Sequence, residues 1–332
     1  MQTNDKENKK SLVPIESSLI RVRKSLAISN KILLEAAEKG LNTNNFKGNL
    51  VYEKKINGNI RFISGNNQGN LIIGTSLESS ITEFNIENKT IINQQIFNGE
   101  LGCFKFSSKF DAFTSVLGRV IYIYQNDEIS QKLEGHNREI NVLCLSNNGR
   151  YLFSGSGDKT IRVWDTTNWE CVKILEGHKW LVNSLITDSN DKYLYSGGWD
   201  SEILKWDLER FEEVEKINSE SVGGIQCLTI TKDDSLLISG AGDGKIRLYN
   251  TNNNYDCKTI EGHSDFVSSL DISTNNKLLA SGGWDGNILI WDIDNQSLIK
   301  SINGHSIKIY SVFFTQEYLI SGGNDKTIKI WD

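Results

Sequence analysis

Four times in this 332-residue chain a Trp-Asp pair closes a β-rich segment: Trp164-Asp165, Trp206-Asp207, Trp291-Asp292 and Trp331-Asp332. Tyr249-Asn250 stands in the same register between the second and third, so the successive steps are 42, 43, 42 and 40 residues. Gly135-His136, Gly177-His178, Gly262-His263 and Gly304-His305 precede those ends by 28, 28, 28 and 26 residues. A fixed period near 40 constrains the fold because each unit must bury its apolar face against its neighbours. A chain of this length then need not divide into two domains. Counting back from Trp164 by 40 reaches Tyr124, and by 40 again Phe84, both at the ends of alternating apolar runs. That gives seven repeats, of which the first, second and fifth are degenerate.

Period-two alternation and turn residues divide each repeat into strands. In the third, EINVLCLS is a strand, NNGR a turn, YLFSGS a strand, GDK a turn, TIRVWD a strand, and TTNWE leads into CVKILE. Each unit therefore reads as a four-stranded antiparallel meander. Gly-His early and Trp-Asp late in a unit of about 40 residues resembles the WD-repeat family, which implies an all-β, seven-bladed β-propeller. The last repeat ends after its third strand at Asp332, while Leu50 to Ile56 (LVYEKKI) matches CVKILE in length and pattern. This segment is expected to complete the last blade and close the ring, since open sheet edges invite aggregation.

Residues 1–13 read as a polar, disordered tail and 14–45 as a helical arm and linker, with the propeller over 46–332. Within the arm Ile15, Leu19, Val22, Leu26, Leu33 and Ala37 fall on one helical face, with Pro14 near its start and Gly40 at its end. The face suits docking on the propeller or on a partner helix, although Ser29 interrupts it. Residues 1–49 carry nine Lys/Arg against five Asp/Glu, so of the net −6 the remainder holds −10. An acidic body does not attract nucleic acid and favours basic peptide segments. No apolar run approaches the roughly 18 residues that span a bilayer, and the first ten residues lack a signal sequence, which predicts a cytoplasmic or nuclear protein. Cys103, Cys144, Cys171, Cys227 and Cys257 are odd in number and widely spaced, as packing cysteines are.

All four histidines belong to Gly-His pairs, and each is followed by an Asp: His136 by Asp158, His178 by Asp200 and His263 by Asp285 at 22 residues, His305 by Asp325 at 20. In a meander the turn entering the first strand and the turn joining the second to the third share one end, so His and Asp meet there. The resemblance implies a structural hydrogen-bond chain from Asp through His and a strand-two hydroxyl (Ser154 or Ser156, Ser196, Ser281, Ser321) to Trp164, Trp206, Trp291 or Trp331. No histidine is then left for catalysis, and no phosphate loop, zinc-protease or nucleophile-elbow motif is present, so neither enzyme activity nor a cofactor or metal is expected. The fifth repeat has Ser221 in the His register and Tyr249 for Trp, while Glu78 and Gly118 replace Asp in the first two. These blades are expected to be held mainly by packing.

Function is expected on residues the fold does not require. The resemblance implies that partners dock on the Gly-His face, through the third and fifth positions after the His and the position before the hairpin Asp. Those are Glu139, Asn141 and Gly157; Leu181, Asn183 and Trp199; Gly224, Gln226 and Gly242; Phe266, Ser268 and Trp284; Lys308, Tyr310 and Asn324. Trp180 lies in the turn at the same end. Trp199, Phe266, Trp284 and Tyr310 are expected to form an aromatic arc able to take a basic segment by cation–π contact. The leading expectation is a non-catalytic scaffold for protein partners. The alternatives are a substrate receptor of a ubiquitin-ligase-type complex, although Glu209 falls where a signature Arg would be, and a G-protein β-like subunit.

Overall fold

The computed structural model describes Leu41 and residues 44–66, 69–76, 80–96, 101–107, 112–125 and 128–332. The expected arm helix lies outside these residues, which contain no helix. Their strands form seven four-stranded antiparallel sheets. Six of them take four consecutive strands. The third, for example, runs Ile140–Leu145, Tyr151–Ser156, Thr160–Asp165 and Glu170–Glu176. The seventh takes Ile309–Phe314, Leu319–Gly323 and Thr327–Trp331, and its outer strand is Leu50–Lys55 from the other end of the chain. That strand pairs antiparallel with Leu50 opposite Trp331 and Lys55 opposite Thr327. Asp332 holds the incoming chain as well: its carbonyl accepts from Lys47 N–H at 3.0 Å, and its own N–H donates to Asn49 at 3.1 Å.

Burial follows from the position of each strand. The second strand of the third blade is buried from Leu152 to Ser156, because both its faces meet other sheets, whereas the outer strand Glu170–Glu176 buries only Leu175. Close approach between blades depends on one glycine of the second strand. A Cβ on Gly155, Gly197, Gly240, Gly282 or Gly322 would lie 2.3–2.7 Å from Val182, Ile225, Val267, Ile309 or Ile60, the first-strand residues of the next blade. Of these pairs, Gly322 and Ile60 join the seventh blade to the first.

The apolar core is likewise distributed between blades rather than within them. One cluster unites Leu152 and Trp164 with Cys103 and Ile121 of the second blade, and another unites Phe153 and Val163 with Leu194 and Trp206 of the fourth. Ile60, Ile63 and Leu71 of the first blade pack with Ile320, Ile328 and Ile330 of the seventh. At about 25 cal/mol per Å² of apolar surface removed from water, these shared faces are the main stabilising term, and a single blade has no core of its own. Leu41 and Phe46 enter the cluster between the sixth and seventh blades, so the packed body extends five residues ahead of the boundary read at residue 46.

The Trp-Asp end of the ring carries a ladder between turns. Asn147 and Asn148 N–H both donate to the Asp191 carboxylate at 2.7 Å, Ser189 N–H to Asp234 at 2.9 Å and Lys232 N–H to Asn276 at 3.2 Å. Each acceptor sits at positive φ (54°, 58° and 59°), the conformation that Asp and Asn tolerate best among residues with a side chain. Each turn therefore holds the one before it, from the third blade to the sixth.

Candidate partner-binding face

At the opposite end, the Gly-His turn of each blade meets the hairpin between strands two and three. In the fourth blade His178 Nδ1 lies 3.0 Å from Asp200, its Nε2 2.8 Å from Ser196 Oγ, and Trp206 Nε1 donates to the same Oγ at 2.8 Å. The third blade repeats this through Ser154 at 2.8, 2.8 and 2.9 Å. The sixth does so through Ser281 at 3.0, 2.9 and 3.1 Å, and the seventh through Ser321 at 2.9, 2.7 and 2.9 Å. Ser156 has another task, donating to the Arg138 and Glu139 carbonyls of the turn.

Donor inventory gives each chain a direction. Trp can only donate and an ionised carboxylate can only accept, so Trp N–H feeds Ser, Ser O–H feeds His Nε2, and His Nδ1–H feeds Asp. In the third blade burial favours the neutral imidazole that this direction requires. Burial pushes His136 below the ordinary imidazole value, against the opposing pull of Asp158. Burial acts to raise Asp158, but the Thr160 hydroxyl, the Asn137 N–H and His136 outweigh it and hold the carboxyl down at about 2.

The fifth and first blades, expected to be held mainly by packing, also carry polar bonds of their own. In the fifth, Arg247 takes the place of the imidazole. Its guanidinium is buried and binds Asp243 at 2.7 Å and the Glu220 carbonyl at 3.0 Å. Tyr249 Oη replaces the indole N–H, 3.2 Å from Ser239 Oγ and 3.3 Å from the Ser219 carbonyl. In the first, Thr75 and Ser80 pair their hydroxyls at 2.9 Å, and Glu83 accepts from the Asn66 and Asn70 amides. Glu78 lies outside the described residues, and Gly118 occupies its hairpin at φ 66°.

Five blades present their outer turns in one geometry. Gly157, Trp199, Gly242, Trp284 and Asn324 each donate backbone N–H to the carbonyl of Glu139, Leu181, Gly224, Phe266 and Lys308, at 2.8–3.0 Å. The register therefore carries through the fifth blade despite Ser221. What the side chains do there differs. Trp180 and Trp199 are 55% and 44% exposed, on the two turns of the fourth blade. Trp284 is half-buried: Phe266 stacks on it at 4.6 Å and 25°, and Lys308 Nζ lies 3.5 Å from the ring centre. Arg61 of the first blade lies 4.2 Å over Tyr310. The expected arc is thus not a row of open rings, since two of its four members already hold cations of this chain.

The inner positions bridge blades. Asn183 donates to Gln226 at 3.3 Å, Asn141 to the Val182 carbonyl at 3.1 Å, and Ser268 to the Gly282 and Ile309 carbonyls. Val222, 75% exposed, and Ile307, 44% exposed, belong to the same face and were not foreseen. Ile307 shares the Trp180 register, two after the His, and that repeat position was the available signal. Among the described residues no group of three His, Cys, Asp or Glu side chains is placed to hold a metal ion.

The family model for the WD domain, G-beta repeat matches residues 127–165, 169–207, 214–250, 255–292 and 296–332, which are blades three to seven. The chain belongs to the WD-repeat family. WD-repeat propellers are in general non-catalytic platforms for protein interaction, and this one is a β-propeller of four-stranded blades. It is 28% identical over 137 residues to mitochondrial division protein 1 of Eremothecium gossypii, covering 41% of this chain and 16% of that protein. The same-named protein of Candida glabrata is 28% identical over 145 residues, 44% of this chain and 17% of its own length. Nuclear distribution protein PAC1 of Scheffersomyces stipitis is 50% identical over 36 residues, 11% and 7%. The matches to the first two relatives thus span less than a fifth of each protein's length.

Proposed function

We propose that the chain is a closed seven-bladed ring that serves as a protein-interaction scaffold, docking partner proteins on its Gly-His face around blades four to seven. The observation that carries this is the exposure of Trp180 and Trp199 on turns that the tetrads below them hold rigidly. Large aromatic groups on a fixed frame lose little conformational freedom on binding and are the commonest interface anchors. Strand pairing between Leu50–Lys55 and Thr327–Trp331 supports the closed ring, and the tetrads of the same face already use the four histidines, which supports a non-enzymatic role. In this reading the helical arm expected over 14–45 serves a second partner.

Affinity purification with mass spectrometry, using full-length protein, the Trp180→Ala/Trp199→Ala variant and a 41–332 truncation, tests the reading. Partners recovered by the full chain should be lost in the double variant at unchanged melting temperature. Recovery that is indifferent to both tryptophans refutes docking on this face, and partners lost only on truncation belong to the arm. The truncation keeps Leu41 because removing it would disturb blades six and seven themselves.

A further inference from the structure

Three aromatic rings of the Gly-His face, of which Trp180 is exposed and Trp284 and Tyr310 are half-buried, are accompanied by the chain's own cations. Lys308 Nζ is 3.5 Å from the centre of the Trp284 ring, Arg61 4.2 Å from Tyr310, and Lys159 5.9 Å from Trp180. They come from three blades, and a ring face occupied in this way has no quadrupole left for a cation from a partner. None of the three is ion-paired among the described residues, whereas Lys179, Lys216 and Lys245 are paired with Glu202 or Glu261. Of the acids on the same face, the hairpin aspartates are committed inward, while Glu139 and Asp265 are exposed on the turns. Asp158, Asp200, Asp285 and Asp325 each take an imidazole and a backbone N–H from Asn137, Lys179, Ser264 or Ser306.

The cations beside the rings thus stand out against a chain whose net charge is −6. These three cations share the Gly-His face with the exposed apolar groups Trp180, Trp199 and Val222. A basic segment arriving here would meet like charge. An anionic one would give these cations the counter-charges they lack, while its apolar side chains cover the indoles.

We propose that this face takes a protein segment bearing Asp or Glu beside large apolar residues, the carboxylates meeting Lys159, Lys308 and Arg61 and the apolar groups meeting Trp180 and Trp199. The proposal rests on the docking reading above and reverses the sign of the partner expected from composition. Composition averages over the acidic outer strands, such as Glu212–Ile217, which lie on the rim of the ring and not on this face.

The test is panning of a random twelve-residue peptide display library on the purified full-length protein, on Trp180→Ala/Trp199→Ala, and on Lys159→Glu/Lys308→Glu. Wild-type pools should be enriched roughly threefold or more in Asp and Glu next to Leu, Ile, Phe or Trp, and individual peptides should weaken with salt. Enrichment should vanish in the tryptophan variant and turn neutral or basic in the charge-reversed one, with melting temperatures checked and Lys159→Gln/Lys308→Gln as the milder pair. Wild-type pools rich in Lys and Arg, or without acidic enrichment, overturn the proposal while leaving docking on this face intact. Pools unaffected by the tryptophan variant overturn the docking reading itself. A single-stranded oligonucleotide that outcompetes the selected peptides at 0.15 M salt assigns the cations to nucleic acid and overturns it as well.

Discussion

Removing one hydroxyl from the fourth blade tests whether the tetrads stabilise the propeller through directed hydrogen bonds. Ser196→Ala deletes the atom that accepts from Trp206 Nε1 at 2.8 Å and donates to His178 Nε2 at 2.8 Å. Ser196, His178 and Trp206 are all buried, so water does not replace the lost partner. Two buried groups left unsatisfied at about 1–3 kcal/mol each put the expected loss at about 2–4 kcal/mol, given that such terms do not add fully. The fifth blade supplies the control. Ser239→Ala removes a single 3.2 Å contact to Tyr249 Oη, which keeps the Ser219 carbonyl at 3.3 Å, so about 1 kcal/mol or less should be lost. Urea unfolding followed by tryptophan fluorescence gives the two differences, and amide exchange shows whether the loss is confined to blades four and five. If Ser196→Ala costs no more than Ser239→Ala, packing alone holds the turns and the directional chain is wrong.

Trp180→Ala and Trp199→Ala should each change stability by less than about 0.5 kcal/mol because both rings are largely exposed, while Trp284→Ala should cost more than 1 kcal/mol through loss of the Phe266 stack; thermal melts separate them. Arg247→Met leaves Asp243 without its buried partner and should cost about 3 kcal/mol, most of it recovered in Arg247→Met/Asp243→Asn, as denaturant titrations of the three proteins will show. Acid should destabilise in two stages. His136 has a lowered folded value, so its stabilisation is complete above the ordinary imidazole range and declines as pH falls through the sixes. Asp158, Asp200, Asp285 and Asp325 are also lowered, so their contribution is present above the ordinary carboxyl value and is lost as pH falls from about 4 toward 2. Melting temperatures from pH 8 to 3 should decline throughout, and a rise on acidification would contradict the neutral-imidazole chain. A 50–332 truncation should melt below 41–332, since it loses Leu41, Phe46 and the bonds to Asp332; equal melting would show that the segment only decorates the ring.

The linear chain alone determined the repeat unit and its polar framework. A period near 40 forces neighbouring units to share their cores, and alternation within each unit leaves little choice but a meander. The His, Asp and Trp positions recur at nearly fixed offsets because one local geometry recurs, so the meeting of His and Asp was legible from spacing, while the chain through Ser to Trp was implied by the WD-repeat resemblance, which left Ser154 and Ser156 both open. Leu50–Lys55 was legible for the same reason, as a strand pattern without a unit of its own.

Only the tertiary structure decided contacts between residues far apart in sequence that follow no period. Arg61 covers Tyr310 because the first and seventh blades are neighbours in space, and Lys308 covers Trp284 across the junction of blades six and seven. Arg247 is held against the Glu220 carbonyl, 27 residues away, in the blade whose His register holds Ser221, and it meets Asp243 there. The turn ladder through Asp191, Asp234 and Asn276 needs both a positive φ and a neighbouring turn within reach. Spacing along the chain therefore reveals what every blade must repeat, while the surface that distinguishes this propeller arises where side chains of different blades meet, and only the folded ring brings those together.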